Sequence, residues 1–375
     1  MNTPGARPGA ATACRRCLRR SWLLAELSGP LDFLARDRAR LHDVLALDDE
    51  ELVAAVAGRR RGELGAGLRR SDAGERHLPS RVEALCAHDP TYPRQLLDVG
   101  APRMLYALGG AARLVKLAAA PAVLIAGSGR ASDYGLETAR SIARGLAVAG
   151  ITVVSAARGE IALAAQTAAL EVRGRTLAVS GSGLGVQPPA GGGALSERVA
   201  RRGCIVSELP CGRPGRLWGA AAGERTLARL SGLTVIVEAG EGQRELSPAR
   251  LARGLGRTVA AVPGRVTSPL SAGTNALLMD GACLVRGPED VLELLHPPSP
   301  RPANKRIDNA LDPGLSSRLR STLRHVGTGR DTPQKLMAVG MDLDDALLAL
   351  SELELMGLLA RGDGGRYVPR GLPPG

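Results

Sequence analysis

Ala122-Val-Leu-Ile-Ala-Gly-Ser-Gly-Arg-Ala-Ser-Asp-Tyr-Gly135 is the stretch of sequence that decides the fold. Its first four residues are apolar and predict a short buried strand, which Gly127-Ser128-Gly129 then interrupts. Apolar residues at helical spacing from Tyr134 onward predict a helix. A glycine-rich turn between a strand and a helix N-terminus directs backbone N–H groups and a partial positive charge at one point, which suits a phosphate. Plain strand–helix turns that bind nothing have the same pattern, so both interpretations stay open at this point.

Strand and helix signals continue to alternate as far as residue 295. The predicted strands are 122–126, 151–155, 175–180, 204–208, 233–238, 258–262 and 282–286. The predicted helices are 134–149, 160–173, 193–202, 222–231, 247–255, 270–280 and 288–295. This alternation predicts an α/β fold with a doubly wound, mostly parallel sheet that is covered by helices on both faces.

Glycine and polar residues cluster where these strands end. The clusters are 127–132, 155–160, 181–185, 207–208, 238–244 and 263–268. Because ligands of such sheets bind at the carboxyl ends of the strands, loops that converge on one edge indicate a binding edge. The convergence is a stronger signal than any one loop.

The segments before this region differ from it in composition. Residues 1–12 are rich in Pro, Gly and Ala and are predicted to be disordered. Apolar residues at helical spacing predict a small helical domain over 13–80, in which Asp48 to Glu51 resembles an acidic helix start. The core domain is predicted over 81–295, and residues 83–107 are interpreted as a connector within it.

The segments after the core predict a linker and a third domain. Residues 296–313 are Pro-rich and predict a linker. Within 314–370 three helices and a small hairpin are predicted, with Thr332 as an N-cap and Pro333 at the first helical position. This order is typical of a winged-helix domain, a helix-turn-helix variant. The third helix is acidic, which favours contact with a protein over insertion into DNA.

The charge of the chain indicates a polyanionic partner. The formal net charge is +12 and the isoelectric point is near 10.3, as expected for a protein that binds nucleic acid or an acidic membrane surface. A basic surface without such a partner is the alternative. Lys116, Lys305 and Lys335 are the only lysines among 49 basic residues, and a GC-rich genome produces the same bias toward arginine.

Neither a membrane span nor a secretory signal is predicted. The sequence contains no apolar run approaching the ~18 residues of a transmembrane helix and no secretory pattern, so a cytoplasmic protein with reduced thiols is expected. Cys14 and Cys17 form a Cys-x-x-Cys pair, but no second pair lies at zinc-ribbon spacing. No metal site is therefore predicted, and His88 is interpreted as a capping or surface residue.

A series of short motifs runs through residues 80–295. They are Tyr92-Pro93, Ile125–Gly135, Gly150–Ser155, Ser207-Glu-Leu-Pro210, Glu224–Ser231, Val235–Ala239, Ala261-Val-Pro-Gly264, Ser271-Ala-Gly-Thr-Asn275 and Asp280-Gly-Ala282. In this order and at this spacing they resemble the DprA/Smf family of DNA-processing proteins. The C-terminal segment resembles the winged-helix appendage of that family.

The resemblance implies an extended Rossmann-like fold and a protein that catalyses no reaction and carries no cofactor. Members of the family bind single-stranded DNA, form homodimers, act in transformation and help to load the recombinase RecA. A basic pocket at the sheet edge would take the strand phosphates, with loop N–H groups supplying further contacts.

The candidate binding residues come from the loops at the carboxyl edge. Contacts with phosphates are expected from Arg130, Arg158, Arg225 and Arg244. Close backbone or hydroxyl contacts are expected from Gly127, Ser128 and Ser132. Residues expected to order the loops or to read base edges are Ser207, Glu208 and Glu238. Scaffold positions of the site are Gly264, Gly273 and Asn275. Trp218 is the aromatic residue considered for base stacking.

Several positions depart from the family pattern. Gly129 stands where the family has an arginine, and Arg130 follows one residue later. Gln166 stands in a histidine position, and Gly223-Glu224-Arg225 replaces an Arg-Asn-Arg motif. The scaffold motifs remain, so the resemblance implies a divergent member with an altered pocket.

Two other functions stay open. A nucleotide- or phosphoribosyl-binding enzyme would use the same edge for a small phosphate ester. Against it, no histidine lies in residues 89–295 and Glu160 has no evident acid/base partner. A partner-binding protein with a degenerate pocket is the other alternative.

Overall fold

The computed structural model describes residues 13–70, 78–79, 81–98, 100–186, 192–242, 245–295, 315–327, 330–361 and 365–369. The chain divides into two compact units, Met1–Leu295 and His296–Gly375. The segments predicted to be disordered (1–12) and to form a linker (296–313) lie outside the described residues, as does Arg244.

One large sheet forms the centre of the first unit. Its strands are β1 (Val82–Cys86), β2 (Met104–Leu108), β3 (Ala122–Ala126), β4 (Thr152–Ala156), β5 (Thr176–Val179), β6 (Cys204–Ser207), β7 (Leu233–Ile236), β8 (Thr258–Ala261) and β9 (Cys283–Leu284). Among the described residues they form a nine-stranded sheet in the order β1-β2-β6-β5-β4-β3-β7-β8-β9. The β1–β2 and β2–β6 pairs are antiparallel and the other neighbouring pairs are parallel.

Helices connect the parallel strands and cover the sheet. They are α6 (Ala111–Ala119), α7 (Asp133–Val148), α8 (Glu160–Glu171), α9 (Gly192–Arg202), α10 (Leu217–Leu230), α11 (Ser247–Gly254), α12 (Ala272–Met279) and α13 (Pro288–Leu295). The buried faces of α7 and α8 supply Ala139, Ile142, Leu146 and Ala165 to a core cluster with the β-branched residues of β3, β4 and β7. The doubly wound, mostly parallel α/β fold predicted from the sequence is confirmed.

The described structure also contains elements that the sequence did not predict. Residues 83–107 were expected to form a connector, but β1 and β2 lie there and extend the sheet beyond β6. Their sequences, Val-Glu-Ala-Leu-Cys and Met-Leu-Tyr-Ala-Leu, contain few β-branched residues, so strand propensity is weak. Tertiary packing decides these strands, since nearly all of their residues are buried.

The strand order fixes where a ligand would bind. The connections from β3 lead to β4 on one side, whereas β7 and β8 lie on the other side of β3. The strand order therefore reverses between β3 and β7. Crevices at such reversal points, at the carboxyl ends of the strands, are the usual ligand sites of open α/β sheets.

Helices before the sheet belong to the same compact unit. They are α1 (Arg15–Glu26), α2 (Ser28–Leu34), α3 (Arg38–Ala46), α4 (Asp49–Val56) and α5 (Arg61–Arg69). The acidic start of α4 is confirmed as a capping box between Asp48 and Glu51. Leu31 and Leu52 share a buried cluster with Trp218 of α10.

The second unit contains the elements expected of its sequence. These are α14 (Ser317–Gly327), α15 (Pro333–Met337), α16 (Leu343–Leu355), β10 (Leu359–Arg361) and β11 (Tyr367–Pro369). Thr332 caps α15 as predicted, and β10 pairs with β11 in antiparallel fashion. The order of three helices and a hairpin matches the prediction, and the winged-helix assignment itself stays a prediction. No helix in the described ranges has both the length and the apolarity to cross a bilayer.

Candidate nucleic-acid interface

The crevice between β3 and β7 is closed by a carboxylate of the chain itself. Glu238 follows β7, is 3% exposed, and accepts hydrogen bonds from the N–H and the hydroxyl of Ser132 at 2.8 and 2.7 Å. The Ser132 hydroxyl in turn accepts from the N–H of Gly135 in the first turn of α7. An anion bound at a helix N-terminus is favourable, and here the side chain of Glu238 takes that position.

Other N–H groups of the β3–α7 loop are also bonded within the chain. The N–H of Ser128 donates to the carbonyl oxygen of Glu238 at 2.6 Å, and that of Ala131 donates to a carboxylate oxygen of Glu160 at 2.8 Å. The Ser128 hydroxyl donates to Glu245 at 3.1 Å. These groups of Ser128, Ala131 and Ser132 are thus bonded to glutamates within the chain, and their expected contacts with phosphates stay a prediction.

Gly127 and Gly135 allow Glu238 to approach the β3–α7 loop and the first turn of α7 closely. A Cβ on Gly127 would lie 2.6 Å from the carbonyl oxygen of Glu238, and a Cβ on Gly135 would lie 2.4 Å from its carboxylate. Gly129, in contrast, has open space around its Cα. Gly127 thus shapes the loop through its close approach to the backbone of Glu238, and the backbone contact with a ligand expected of it stays a prediction.

The loops that carry Arg130 and Arg158 contact each other. The N–H of Glu160 donates to the carbonyl oxygen of Gly129 at 3.2 Å, and a Cβ on Gly159 would lie 3.6 Å from the Cα of Gly129. Arg130 directly follows Gly129 in the sequence, and Arg158 directly precedes Gly159. Both side chains are exposed, and within the described residues neither makes an ion pair or a side-chain hydrogen bond.

The loop after β8 borders the same edge. The hydroxyl of Tyr134, at the start of α7, donates to the carbonyl oxygen of Pro263 at 2.9 Å. Asn275 exchanges two hydrogen bonds with the backbone of Gly264 at 3.1 and 3.2 Å. A Cβ on Gly273 would lie 2.1 Å from the carbonyl oxygen of Gly240. Gly264, Gly273 and Asn275 therefore brace the loops that follow β7 and β8.

A separate group lies at the end of β6. Ser207 is fully buried and accepts the N–H of Leu209. Glu208 binds Arg225 at 2.5 Å and the hydroxyl of Thr226 at 2.5 Å. Burial raises the pKa of the neighbouring Tyr92 well above its ordinary value, and the negative charge of Glu208 adds to that rise. β6 runs parallel to β3 and ends at the same edge of the sheet, three strands away, and there Arg225 is engaged with Glu208.

Tyr134 replaces Trp218 as the aromatic candidate for stacking on a base. Trp218 is 1% exposed and packs in the core with the N-terminal helices, so the expectation that it stacks on a base is wrong. Tyr134 is 51% exposed and stands at the start of α7, four positions after Arg130. Tyr134 lies in the decisive motif, so the sequence offered an aromatic residue at this edge, but the spacing there predicts only that Tyr134 begins a helix.

Arg265 was also missed. It lies in the loop after β8, two residues from the Pro263 carbonyl that Tyr134 binds, and its side chain is exposed. The loop itself was identified from the sequence. Its arginine was overlooked because the chain contains so many arginines that position in sequence does not single one out.

The profile of the family described as DNA recombination-mediator protein A matches residues 83–296, which is more than half of the chain. The chain belongs to the DprA/Smf family.

Individual DprA/Smf proteins show the same relationship. A putative DNA processing protein DprA of Mycobacterium tuberculosis is 41% identical over 195 residues, covering 52% of this chain and 49% of that protein. The chain thus matches about half the length of that relative. The crystal structure of DprA from Streptococcus pneumoniae aligns with a TM-score of 0.60 and 25% identity, over 75% of this chain and 98% of that one. DprA of Helicobacter pylori, whose structure is described for its single-stranded DNA binding mode, aligns with a TM-score of 0.51 and 26% identity, over 58% of this chain and 96% of that one.

One departure from the DprA/Smf pattern has a local explanation. Gln166, which replaces a histidine, is 2% exposed, and its amide donates to the Ser155 hydroxyl at 2.9 Å and to the carbonyl oxygen of Ala156 at 2.8 Å. It holds the end of β4 against α8. At this position the scaffold is held by a neutral side chain that donates two hydrogen bonds.

A second basic surface lies at the opposite edge of the sheet in this DprA/Smf protein. Arg173, Arg198, Arg201 and Arg202 line a cleft of about 470 Å³ with Leu170 and Glu171. We name it the amino-edge cleft, because α8 and α9 end there before β5 and β6 begin. The cleft is also positively charged but lies outside the sequence motifs, so it serves as a control surface.

Proposed function

We propose that the carboxyl edge binds the phosphates of single-stranded DNA through the exposed guanidinium groups of Arg130, Arg158 and Arg265, and that the protein acts without catalysis. The observation that supports the proposal is the contact between the Gly129 and Gly159 loops, since Arg130 directly follows Gly129 and Arg158 directly precedes Gly159. We call the exposed positions of Arg130, Arg158 and Arg265 at this edge the rim. Arginine side chains that neutralise phosphates supply affinity that does not depend on sequence.

The engaged amides support a polymer over a small phosphate ester. A nucleotide at the β3–β7 crevice would need the loop N–H groups that Glu238 and Glu160 already occupy. Side chains on the rim can still contact an extended backbone without displacing those carboxylates. A nucleotide-binding enzyme is therefore the weaker proposal.

Tyr134 gives the rim a surface for stacking. Its ring is 51% exposed, and its hydroxyl donates to the Pro263 carbonyl oxygen, so the ring is held against the loop after β8. Exposed aromatic rings beside basic grooves stack on the bases of single strands. The proposed interface thus combines three arginines with one aromatic ring.

Binding of a fluorescent oligo-dT to the full chain, followed by anisotropy at two salt concentrations, tests this function. The proposal predicts affinity that falls steeply as salt rises, with log K decreasing by about 0.7 per phosphate contact for each unit of log salt. Weaker binding to a duplex of the same length is expected. Absence of oligomer binding in dilute buffer would contradict the proposal.

We further propose, from membership of the DprA/Smf family, that the chain forms a homodimer and helps to load RecA onto the bound strand. The acidic helix α16 also exposes Leu347, Leu348 and Leu355, a surface better suited to a protein than to DNA. Light scattering of the purified chain tests dimer formation. A RecA filament assay on strands coated with single-strand-binding protein tests loading.

A further inference from the structure

Four potential metal ligands converge at the start of α1 and the end of β1. They are Cys14, Cys17, Cys86 and His88, and their sulfur and ring nitrogen atoms all lie within 4.8 Å of one another. No other group of three or more such residues with this geometry occurs in the parts of the chain that the structure describes. We propose that these residues form a structural zinc site.

The distances suit a tetrahedral ion. The Nδ1 atom of His88 lies 3.5 Å from the Sγ of Cys14, 3.3 Å from that of Cys17 and 3.9 Å from that of Cys86. Zinc bonds of about 2.3 Å to sulfur and about 2.0 Å to nitrogen, at tetrahedral angles, separate the two ligand atoms by about 3.5 Å. One ion at the centre of the four atoms would satisfy all of them.

The donor set distinguishes zinc from other occupants. Three thiolates and one imidazole are a known structural zinc combination, and soft sulfur with nitrogen in tetrahedral geometry selects zinc among the divalent metals. A disulfide would use only two of the three sulfurs and would leave the histidine without a role. Four protein ligands leave no open position, so the site is structural and not catalytic.

Groups around the four ligands would stabilise the net negative charge of such a site. Cys14 is the N-cap of α1, where the helix dipole stabilises negative charge, and the first turn of α1 contains no acidic residue. Arg15 and Arg16 follow directly and are exposed. The N–H of Cys14 donates to the Sγ of Cys86 at 3.4 Å. Three thiolates around Zn²⁺ carry one net negative charge, which these groups offset.

The site would fasten two distant segments together. Cys17 and His88 are 71 residues apart in sequence, and β1 is the edge strand of the sheet. Cys17 and Cys86 are buried in one cluster with Val82, Met104 and Tyr106. The sequence suggested no metal because the two ligand pairs have the unlike spacings Cys-x-x-Cys and Cys-x-His, and only the fold brings them together.

Metal analysis of the full chain tests the site. Protein purified under reducing conditions without chelators is expected to carry about one zinc ion per chain. Cys14→Ser and His88→Ala, which alter half-buried and exposed side chains, should lose most of that zinc while circular dichroism remains that of the parent. The controls Cys211→Ser and Cys283→Ser, at cysteines outside the cluster, should keep it.

Cobalt provides a second readout that does not depend on expression conditions. Co²⁺ added to the metal-free chain should give the intense d–d absorption of a tetrahedral thiolate site, and Cys14→Ser should abolish it. The inference is overturned if the reduced protein binds neither zinc nor tetrahedral Co²⁺, or if both ligand variants retain full zinc. A Cys14–Cys17 disulfide that persists under reducing conditions would also overturn it.

Discussion

The carboxylate of Glu238 accepts hydrogen bonds from both the N–H and the hydroxyl of Ser132, at 2.8 and 2.7 Å, across the crevice between β3 and β7. The helix N-terminus that the sequence motif pointed to is therefore already occupied by an anion of the chain. Because Glu238 occupies these groups, we expect a ligand to bind the side chains on the rim and not the amides of the loop.

Glu238→Gln is expected to lower the midpoint of urea unfolding, because its amide presents a donor to the N–H or hydroxyl of Ser132. Hydrogen bonds to a charged acceptor contribute about 1.5–3 kcal/mol each, so a loss of about 1–3 kcal/mol is expected. Glu241→Gln, an exposed neighbour in the same loop, serves as the control. Equal midpoints for the two variants would show that the Glu238 contacts do not stabilise the loop.

Gly127→Ala is expected to destabilise the protein, whereas Gly129→Ala is expected to be tolerated. A Cβ at 127 would meet the Glu238 carbonyl oxygen at 2.6 Å, and nothing lies within 4 Å of one at 129. Forcing atoms into a packed region costs about 1–3 kcal/mol. Thermal unfolding of both variants checks the difference, and a larger effect at 129 than at 127 would contradict the loop geometry.

The fold followed from the sequence wherever periodicity was strong. The strands and helices from β3 to α13 overlap their predicted ranges, since alternating apolar runs and helical spacing report buried faces directly. The larger differences are α10, which begins at Leu217 and not at residue 222, and β9, which has two residues and not five. β1 and β2 were missed because Ala, Leu and Met carry little strand signal, and only the pairing of β1 with β2 and of β2 with β6 makes them strands.

The site was less predictable than the fold. Sequence identified the loops, but it did not reveal that Glu208 binds Arg225 or that Trp218 is buried. Partners such as Ser132 and Glu238 lie 106 residues apart, so no local pattern reports whether a polar group is free or engaged. Exposure of Tyr134 and Arg265 likewise depends on how separate loops meet.

Tyr134→Ala is expected to weaken binding of single-stranded DNA, whereas Tyr134→Phe should retain most of the affinity. Stacking on one base contributes about 1–3 kcal/mol, or about 5- to 150-fold. Phe keeps the ring and loses only the hydrogen bond to Pro263. Anisotropy titrations with oligo-dT measure both variants, and a Phe variant as weak as the Ala variant would assign the effect to the hydrogen bond instead.

The contribution of Glu26 to stability is expected to disappear in acid. Burial by itself raises the pKa of Glu26, but hydrogen bonds from Arg60 and Arg213 and their charges outweigh it and lower the pKa below its ordinary value. The ionised form is thus favoured by folding. Its contribution is complete above the unfolded value of about 4.3 and is lost as the pH falls below it through the folded pKa.

Urea unfolding of Glu26→Gln at several pH values measures this contribution. The variant should be less stable than the parent at pH 7, on the order of 1 kcal/mol for partly exposed ion pairs, and the difference should shrink below about pH 4.3. Glu137→Gln, at an exposed position on α7, controls for the loss of charge. A difference that stays constant down to low pH would exclude the ion pairs as its cause.

The most direct test of the proposed function compares two double variants of equal charge. Arg130→Ala/Arg158→Ala removes the rim arginines, and Arg201→Ala/Arg202→Ala removes two arginines from the amino-edge cleft. Oligo-dT and oligo-dA affinities are measured by anisotropy across a range of salt. The account predicts that the rim variant alone binds both strands about tenfold more weakly, with a salt slope smaller by about 1.4 for two lost phosphate contacts. Unchanged affinity in the rim variant, or an equal loss in the amino-edge variant, would contradict it.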